Sequence, residues 1–361
     1  MPPTPGYFAA WEDIIDELPE LIKSGEIRNK VRKLPLLEVN EVNLPREEDW
    51  WRAYIVTTFI GQAYIWMDKD DKDIMPSVPK CIAVPWCAVS EHLGMPPVVT
   101  YATACLYNWY LRDPTKPPDG DNLYSQITYT GTQDESWFYI VCLLVEIEAV
   151  PGMVAMLEAY SAIERGDNQA LQQHLKTIKA SMHCMLQKLN RMRERCSPDV
   201  FYYEFRRFQR GSKNQKYLPN NMTYEGVDPE NQSHCGASAA QSSTLSVFDI
   251  FLGVEHTGRE LEFLKDQRKH MPSVHCRFLA ELEKRPPVRE YIKAANDLEL
   301  IQSFNAIADE LTRFRQAHLS IVKRYIVKFL PDGAAATGTG GTELKQFLGQ
   351  VKDDTPASKL L

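Results

Sequence analysis

The chain has 361 residues, enough for one large domain or two moderate ones with a substantial core. Hydrophobic residues make up 44% and charged residues 25%, an ordinary globular balance that excludes a disordered or fibrous chain. The net charge of −7 argues against nucleic-acid binding, no apolar stretch approaches bilayer-spanning length, and the opening MPPTPGYFAAWEDIIDELPEL carries Pro, Asp and Glu where a secretion signal needs a basic end and an apolar run. A cytoplasmic protein without nucleic-acid or membrane partners is therefore expected.

The N-terminal third reads as short helices near 7–22, 49–66 and 82–92, interrupted by Pro35, Pro45, Pro76, Pro79, Pro85, Pro96 and Pro97. VVTYATACLYNWYL is helical in pattern and ends at the Pro-rich DPTKPPDGDN. Residues 124–129 alternate and carry Thr and Tyr, as a strand or hairpin arm would. A boundary is placed here, between a smaller, mainly helical domain at 1–130 and a large all-helical domain at 131–361. Residues 135–149 are apolar almost without interruption, the mark of a helix buried on most sides. Helices follow at 151–165, 169–195 and 199–210, then a polar loop at 211–236. Helices resume at 239–253, 260–270, 274–283 and 288–295. From Ile301 the apolar residues Phe304, Ile307, Leu311, Phe314, Ile321 and Tyr325 recur every three or four positions, or after one skipped turn, as on one long buried helix face. PDGAAATGTGGT at 331–342 reads as a mobile loop, 343–351 as a last short helix, and the charged tail as disordered. The fold class expected is all-α with a minor strand or hairpin element.

The eight cysteines are scattered without a C-x-x-C pair, so neither a zinc site nor a covalent haem attachment fits, and free thiols are expected. His318 falls on the apolar face of the last long helix, four after Phe314 and three before Ile321. A buried imidazole needs a partner, either a protein hydrogen bond or a metal such as haem iron. Asp249, beside Leu245, Phe248 and Leu252, needs a cation, and Arg315 is one turn from His318. That Arg makes either a structural ion pair or a contact to a haem propionate. In FYYEFRRFQRG, Phe201, Phe205 and Phe208 share one helical face and Tyr202, Arg206 and Gln209 the next. Arg206 there either faces solvent or holds a substrate carboxylate beside an aromatic pocket. The small residues of CGASAAQSST allow close approach to a flat ligand, while Ser238, Ser242 and Ser243 also suit helix capping. TGTGGT lacks the Lys and the preceding strand of a phosphate loop and suits a lid.

In order, PPVVTYATACLYNW, WFYIVCLLVEIEA, FYYEFRRF, YEGV, GASAAQSS, RFRQAHLSIVKRYIV and GTGGTELKQFL resemble the indoleamine 2,3-dioxygenase family of haem proteins, from about Tyr7 to the C-terminus. The resemblance implies a two-domain helical fold that binds haem b through His318 as proximal ligand. Arg315, Asp249, Ser238 and Ala239 would contact the cofactor. Tyr101, Phe138, Tyr139, Cys142, Phe201, Arg206, Gln209, Ser238 and Thr339 would line the substrate side, with Ala104, Cys105 and Ala237 beside them. Arg206 would bind the substrate carboxylate, Phe201 would pack on the indole, and Thr339 would sit in a closing loop. The implied reaction inserts both atoms of O2 across the indole 2,3-bond of L-tryptophan or a related indoleamine, giving N-formylkynurenine. An external electron donor would keep the iron ferrous, and the chain would act as a monomer. No amino-acid side chain is assigned a catalytic role, since the haem carries the chemistry. Cys142 and Gln209 depart from the Ser and Leu of vertebrate members. Gastropod members that serve as myoglobins also carry Cys at the first position, so a haem protein that only binds oxygen is the alternative.

Overall fold

A computed structural model describes residues 3, 6–215, 217–331, 337–339 and 343–360. Its central pair is Gln133–Arg165 and Asn168–Asn190, turned back on each other at Gly166, which adopts the left-handed conformation (φ 67°). The two helices expected at 135–149 and 151–165 are one, with Pro151 inside it. A proline there removes one rung of the backbone ladder. Packing holds the interrupted turn together: the Ser181 hydroxyl donates to the Glu148 carbonyl (2.6 Å). A Cβ on Gly152 would lie 2.8 Å from that of Ser181, so only glycine allows the two helices this approach. By length and composition Gln133–Arg165 could cross a membrane, contrary to the expectation that no stretch is long enough. In this fold it packs along Asn168–Asn190, with Trp137, Ile140, Val141 and Leu144 in the core.

Leu298–Tyr325 lies against Asn168–Asn190 and is capped by Asp297, whose carboxylate accepts from the Glu299 and Leu300 amides (2.9 and 3.3 Å). Phe304, Ile307, Leu311, Phe314, Ile321 and Tyr325 are buried, as their spacing requires. In the N-terminal part Glu47–Trp66, buried almost all round, packs on Lys80–Leu93. The apolar core is continuous across residue 130, from Phe8 to Leu360, and the two-domain division remains a proposal.

Four further expectations, on local structure, are corrected. VVTYATACLYNWYL is helical only as a wide turn, Ala102–Leu106, and Trp109–Leu111 is a strand paired antiparallel with Leu123–Ser125. The buried Asn108 side chain ends the helix by bonding both the amide and the carbonyl of Ile127 (2.9 Å each). Of the arm expected at 124–129, only its start is strand. The polar loop 211–236 holds the strands Met222–Tyr224 and Asn231–Gln232, the first paired in parallel with Ser77–Val78. The helix expected at 199–210 is three unlike turns, Pro198–Val200, Phe201–Phe205 and Arg206–Gln209, the middle one wide and the last tight.

The charged tail is ordered. Leu344–Asp354 and Thr355–Ser358 pack on Leu298–Tyr325, and Asn305 exchanges two hydrogen bonds with Leu360 (2.8 Å each). Its anchor is a buried charge cluster. Arg315 Nη2 donates to both oxygens of Asp249 (2.6 and 2.7 Å), and Arg315 Nη1 bonds the Thr355 hydroxyl. His256 bridges Asp249 (3.2 Å) and Asp354 (2.8 Å), so its ring needs both protons. Burial alone would lower the His256 pKa, but the two carboxylates outweigh it and raise the pKa above 6.5. The folded state thus keeps a proton that the unfolded chain releases first. Its stabilisation is complete below the unfolded pKa and is lost as pH rises through the folded one. Between about pH 6 and pH 8.5, the urea midpoint of the wild type should fall, and that of His256→Gln should fall less. Equal slopes would remove His256 from the clamp.

Candidate functional site

The helix Gln133–Arg165 sends Phe138, Cys142, Val145 and Glu146 into a single large cavity, and Leu298–Tyr325 faces it with Phe314, His318, Ile321, Val322 and Tyr325. The turns at 201–209 add Phe201, Arg206 and Gln209, while Tyr101, Ala104, Cys105, the Ala237–Ala239 stretch and Thr339 close the remaining sides. The atom-free space inside this lining, its open mouth included, is roughly 1450 Å³, and the lining is mainly apolar with a few polar groups, as in ligand sites generally.

His318 is half-buried because it faces this cavity. Among the described residues no group bonds to its ring, and burial pushes its pKa down to about 4, so the neutral ring prevails at pH 7. A neutral, unpartnered imidazole is the form that binds metal. No cluster of three or more His, Cys, Asp or Glu among the described residues offers to hold a bare ion. A lone His over a wide apolar cavity therefore fits a cofactor that brings its own equatorial ligands, as haem does.

Arg206 is the second unsatisfied group. Its Nη2 donates to the Thr337 carbonyl (2.7 Å), its Nε is buried without a partner, and no carboxylate pairs with it among the described residues. Burial pushes its pKa down to about 10, so it stays charged. A guanidinium held this way invites an anion from the cavity. The change from wide to tight turn at 205–206 brings Phe201 and Arg206 to the same wall, where one regular helix would set them well over a quarter-turn apart. Phe201 and Phe138 meet there with ring centroids 5.0 Å apart. Tyr202 leaves the wall and stacks on Phe329 (4.8 Å).

Close backbone contact fixes the third wall. A Cβ on Gly236 would fall 2.2 Å from the Gln209 carbonyl, and the Ala237 amide donates to that carbonyl (3.0 Å). Ser238 caps the following turn by accepting from the Ala240 amide (3.2 Å), and Ala239 beside it lines the cavity. Ser242 and Ser243, expected as caps, instead bond Glu146 (2.7 Å) and His275 (3.0 Å). The Thr339 hydroxyl donates to the Ala237 carbonyl and its own carbonyl accepts from the Gly236 amide (3.3 Å), which ties this part of the 331–342 loop onto the site. Residues 332–336 and 340–342 lie outside the described residues.

Three of the predicted residues do not line the cavity. Tyr139 lies behind Gln209, whose Nε2 donates to its hydroxyl (2.7 Å). Arg315 and Asp249 bond each other, with the Arg315 Nε buried and unpartnered. Glu146 was missed by the sequence reading, although its position four after Cys142 and eight after Phe138 puts it on the same helical face. Its carboxylate accepts from Tyr101 (2.8 Å), Ser242 (2.7 Å) and Thr244 (2.5 Å). The Cys105 thiol, pushed well up by burial, stands beside Cys142 in the same wall, and all eight cysteines are free.

Residues 3–358 match the profile of the family described as indoleamine 2,3-dioxygenase. Indoleamine 2,3-dioxygenase 1 of Rattus norvegicus is 35% identical, across 99% of this chain and 90% of its own length. Indoleamine 2,3-dioxygenase 2 of Homo sapiens is 31% identical over 99% and 90%. The protein named 6-hydroxytryptophan 2,3-dioxygenase in Fusarium equiseti is 31% identical over 96% and 90%.

Proposed function

The chain belongs to the indoleamine 2,3-dioxygenase family, and from that premise we propose that it is a haem-dependent dioxygenase converting L-tryptophan to N-formylkynurenine. One observation carries the reading: two unsatisfied groups, the His318 imidazole and the Arg206 guanidinium, line one large apolar cavity. His318 would hold haem b, which when bound supplies the binding and activation of O2. The chain's own work is placement. Arg206 takes the substrate carboxylate, the Phe138 and Phe201 rings pack on the indole, and Thr339, held to Ala237, covers the site and excludes water. Among the described residues the carboxylate in the lining, Glu146, is engaged by Tyr101, Ser242 and Thr244, as suits an addition in which no side chain needs to remove a proton. We place the enzyme in the cytoplasm, as a monomer served by an external reductant and opening tryptophan breakdown.

The test is to supply haem-loaded, reduced protein with O2 and L-tryptophan and to follow N-formylkynurenine. No product from protein that binds haem and O2 would favour the oxygen-carrier reading, to which Cys142 and Gln209 lend support. Turnover is expected to be weak. Gln209 brings an amide into the apolar wall, and Cys142 puts a thiol where a stronger hydrogen-bonding hydroxyl would serve the bound ligands. Cys142→Ser with Gln209→Leu should raise kcat/KM for tryptophan by about tenfold, the effect of some 1.4 kcal/mol. Each change alone should give less, because neighbours in one pocket need not add. Steady-state kinetics on the single and double variants decides this.

A further inference from the structure

The amide of Gln209 has its polarity set from deep in the core. Glu135 is fully buried and accepts from the Tyr129 amide (2.9 Å), the Thr130 amide (2.8 Å) and the Thr130 hydroxyl (2.6 Å). Its remaining partner is the Tyr139 hydroxyl, at 3.0 Å. Burial raises the Glu135 pKa, but four donors converge on its two oxygens and favour the ionised form. An ionised carboxylate only accepts, so Tyr139 spends its one proton on Glu135. The phenol oxygen then has lone pairs left and no hydrogen, and only the –NH2 end of an amide can approach it. Gln209 does so, with Nε2 at 2.7 Å.

That fixes the other end of the amide. Gln209 Oε1 has no donor among the described residues, and Gln209 is 5% exposed in the cavity wall. The wall thus presents one oriented, neutral acceptor among aromatic rings, one turn beyond Arg206. The indole N–H points from one edge of the ring only, and a C–H edge set against this oxygen leaves it unpaired in a dry place, which costs affinity. A ring bearing a hydroxyl satisfies it.

We propose that Gln209, oriented by the Glu135–Tyr139 relay, is a specificity-determining residue that selects tryptophans carrying a ring hydroxyl over tryptophan itself. The proposal rests on reading the cavity as an aromatic amino-acid site. Sites that hydrogen-bond a substrate hydroxyl discriminate against the analogue that lacks it far more strongly than apolar pockets discriminate by size.

The experiment measures binding, so that it does not depend on turnover. Haem-loaded ferric protein is titrated with L-tryptophan, 5-hydroxy-L-tryptophan and 6-hydroxy-L-tryptophan at about pH 8, above the carboxyl range, and the Soret shift is followed. At least one hydroxylated ligand should bind about tenfold tighter than tryptophan or better. Gln209→Leu should erase the preference, with Gln209→Met as the alternative if the first does not fold. Tyr139→Phe should shrink it, because the amide is then free to turn over. Equal affinities in the wild type, or a preference that survives Gln209→Leu, would overturn the proposal. So would a tenfold loss of tryptophan affinity in Gln209→Leu, which would assign Oε1 to the indole N–H. A hydroxyl preference without formation of a formylkynurenine product would sustain this inference and sink the catalytic reading. Failure of haem-loaded protein to bind any of the three would sink both.

Discussion

His318→Ala is expected to fold and to lose its haem. The imidazole makes no hydrogen bond to the described residues, so its removal breaks no internal network. It already faces a cavity, so truncation enlarges an open space rather than tearing a hole in packed core, and the melting temperature of the haem-free protein should hardly move. The effect on the cofactor should be near total, because among the described residues His318 is the one His in the cavity lining. The measurement is Soret absorbance after reconstitution and desalting, with His183, His234, His256, His270 and His275 each changed to Ala as comparisons. Those rings have other work. His256 bridges two aspartates, His275 meets Ser243, and His183 meets Gln187. Full haem occupancy in His318→Ala with an unchanged spectrum would end the assignment. Imidazole added in solution should restore binding in the cavity left behind.

Much of this site was legible in the chain because helical period carries it. His318 sits in step with Phe314 and Ile321, and Cys142 in step with Phe138, so one face of each helix defines one wall of the cavity. Where the period fails, so does the reading. Phe201–Gln209 looks like one helix, but its two unlike turns bring Phe201 into the cavity wall with Arg206 and Gln209, while Tyr202, though under the Arg206 guanidinium, stays outside it. Tyr139 belongs to the right segment but stands behind the wall, a difference of one residue that period alone does not resolve. The ordered tail was hidden for another reason. Its charged composition suggests solvent, yet Asp354 and Thr355 meet His256 and Arg315, partners about 100 and 40 positions away. Local pattern holds no trace of such pairing. The strands at 77–78 and 222–224 are equally silent, being short and far apart in sequence.

Arg206→Ala should leave the haem in place and remove most of the catalytic efficiency. The side chain is charged and lacks a carboxylate among the described residues, so a substrate carboxylate would complete a buried pair. Truncating one member of such a pair costs roughly 2–5 kcal/mol, which corresponds to a fall of about 30- to 5000-fold in kcat/KM. Stability should change little. The fold loses the bond from Nη2 to the Thr337 carbonyl, but it also sheds a desolvated charge with no counterion. Arg206→Lys should recover only part of the loss, because a single ammonium cannot make the forked contact of a guanidinium. A structural role for Arg206 predicts something different: lower melting temperature, and equal damage for every substrate. The decisive comparison is therefore tryptamine, which lacks the carboxylate. Wild type and Arg206→Ala should handle tryptamine about equally while differing widely on tryptophan. If kcat/KM for tryptophan is unaffected by the substitution, Arg206 is no clamp, and the oxygen-binding reading gains the ground that catalysis gives up.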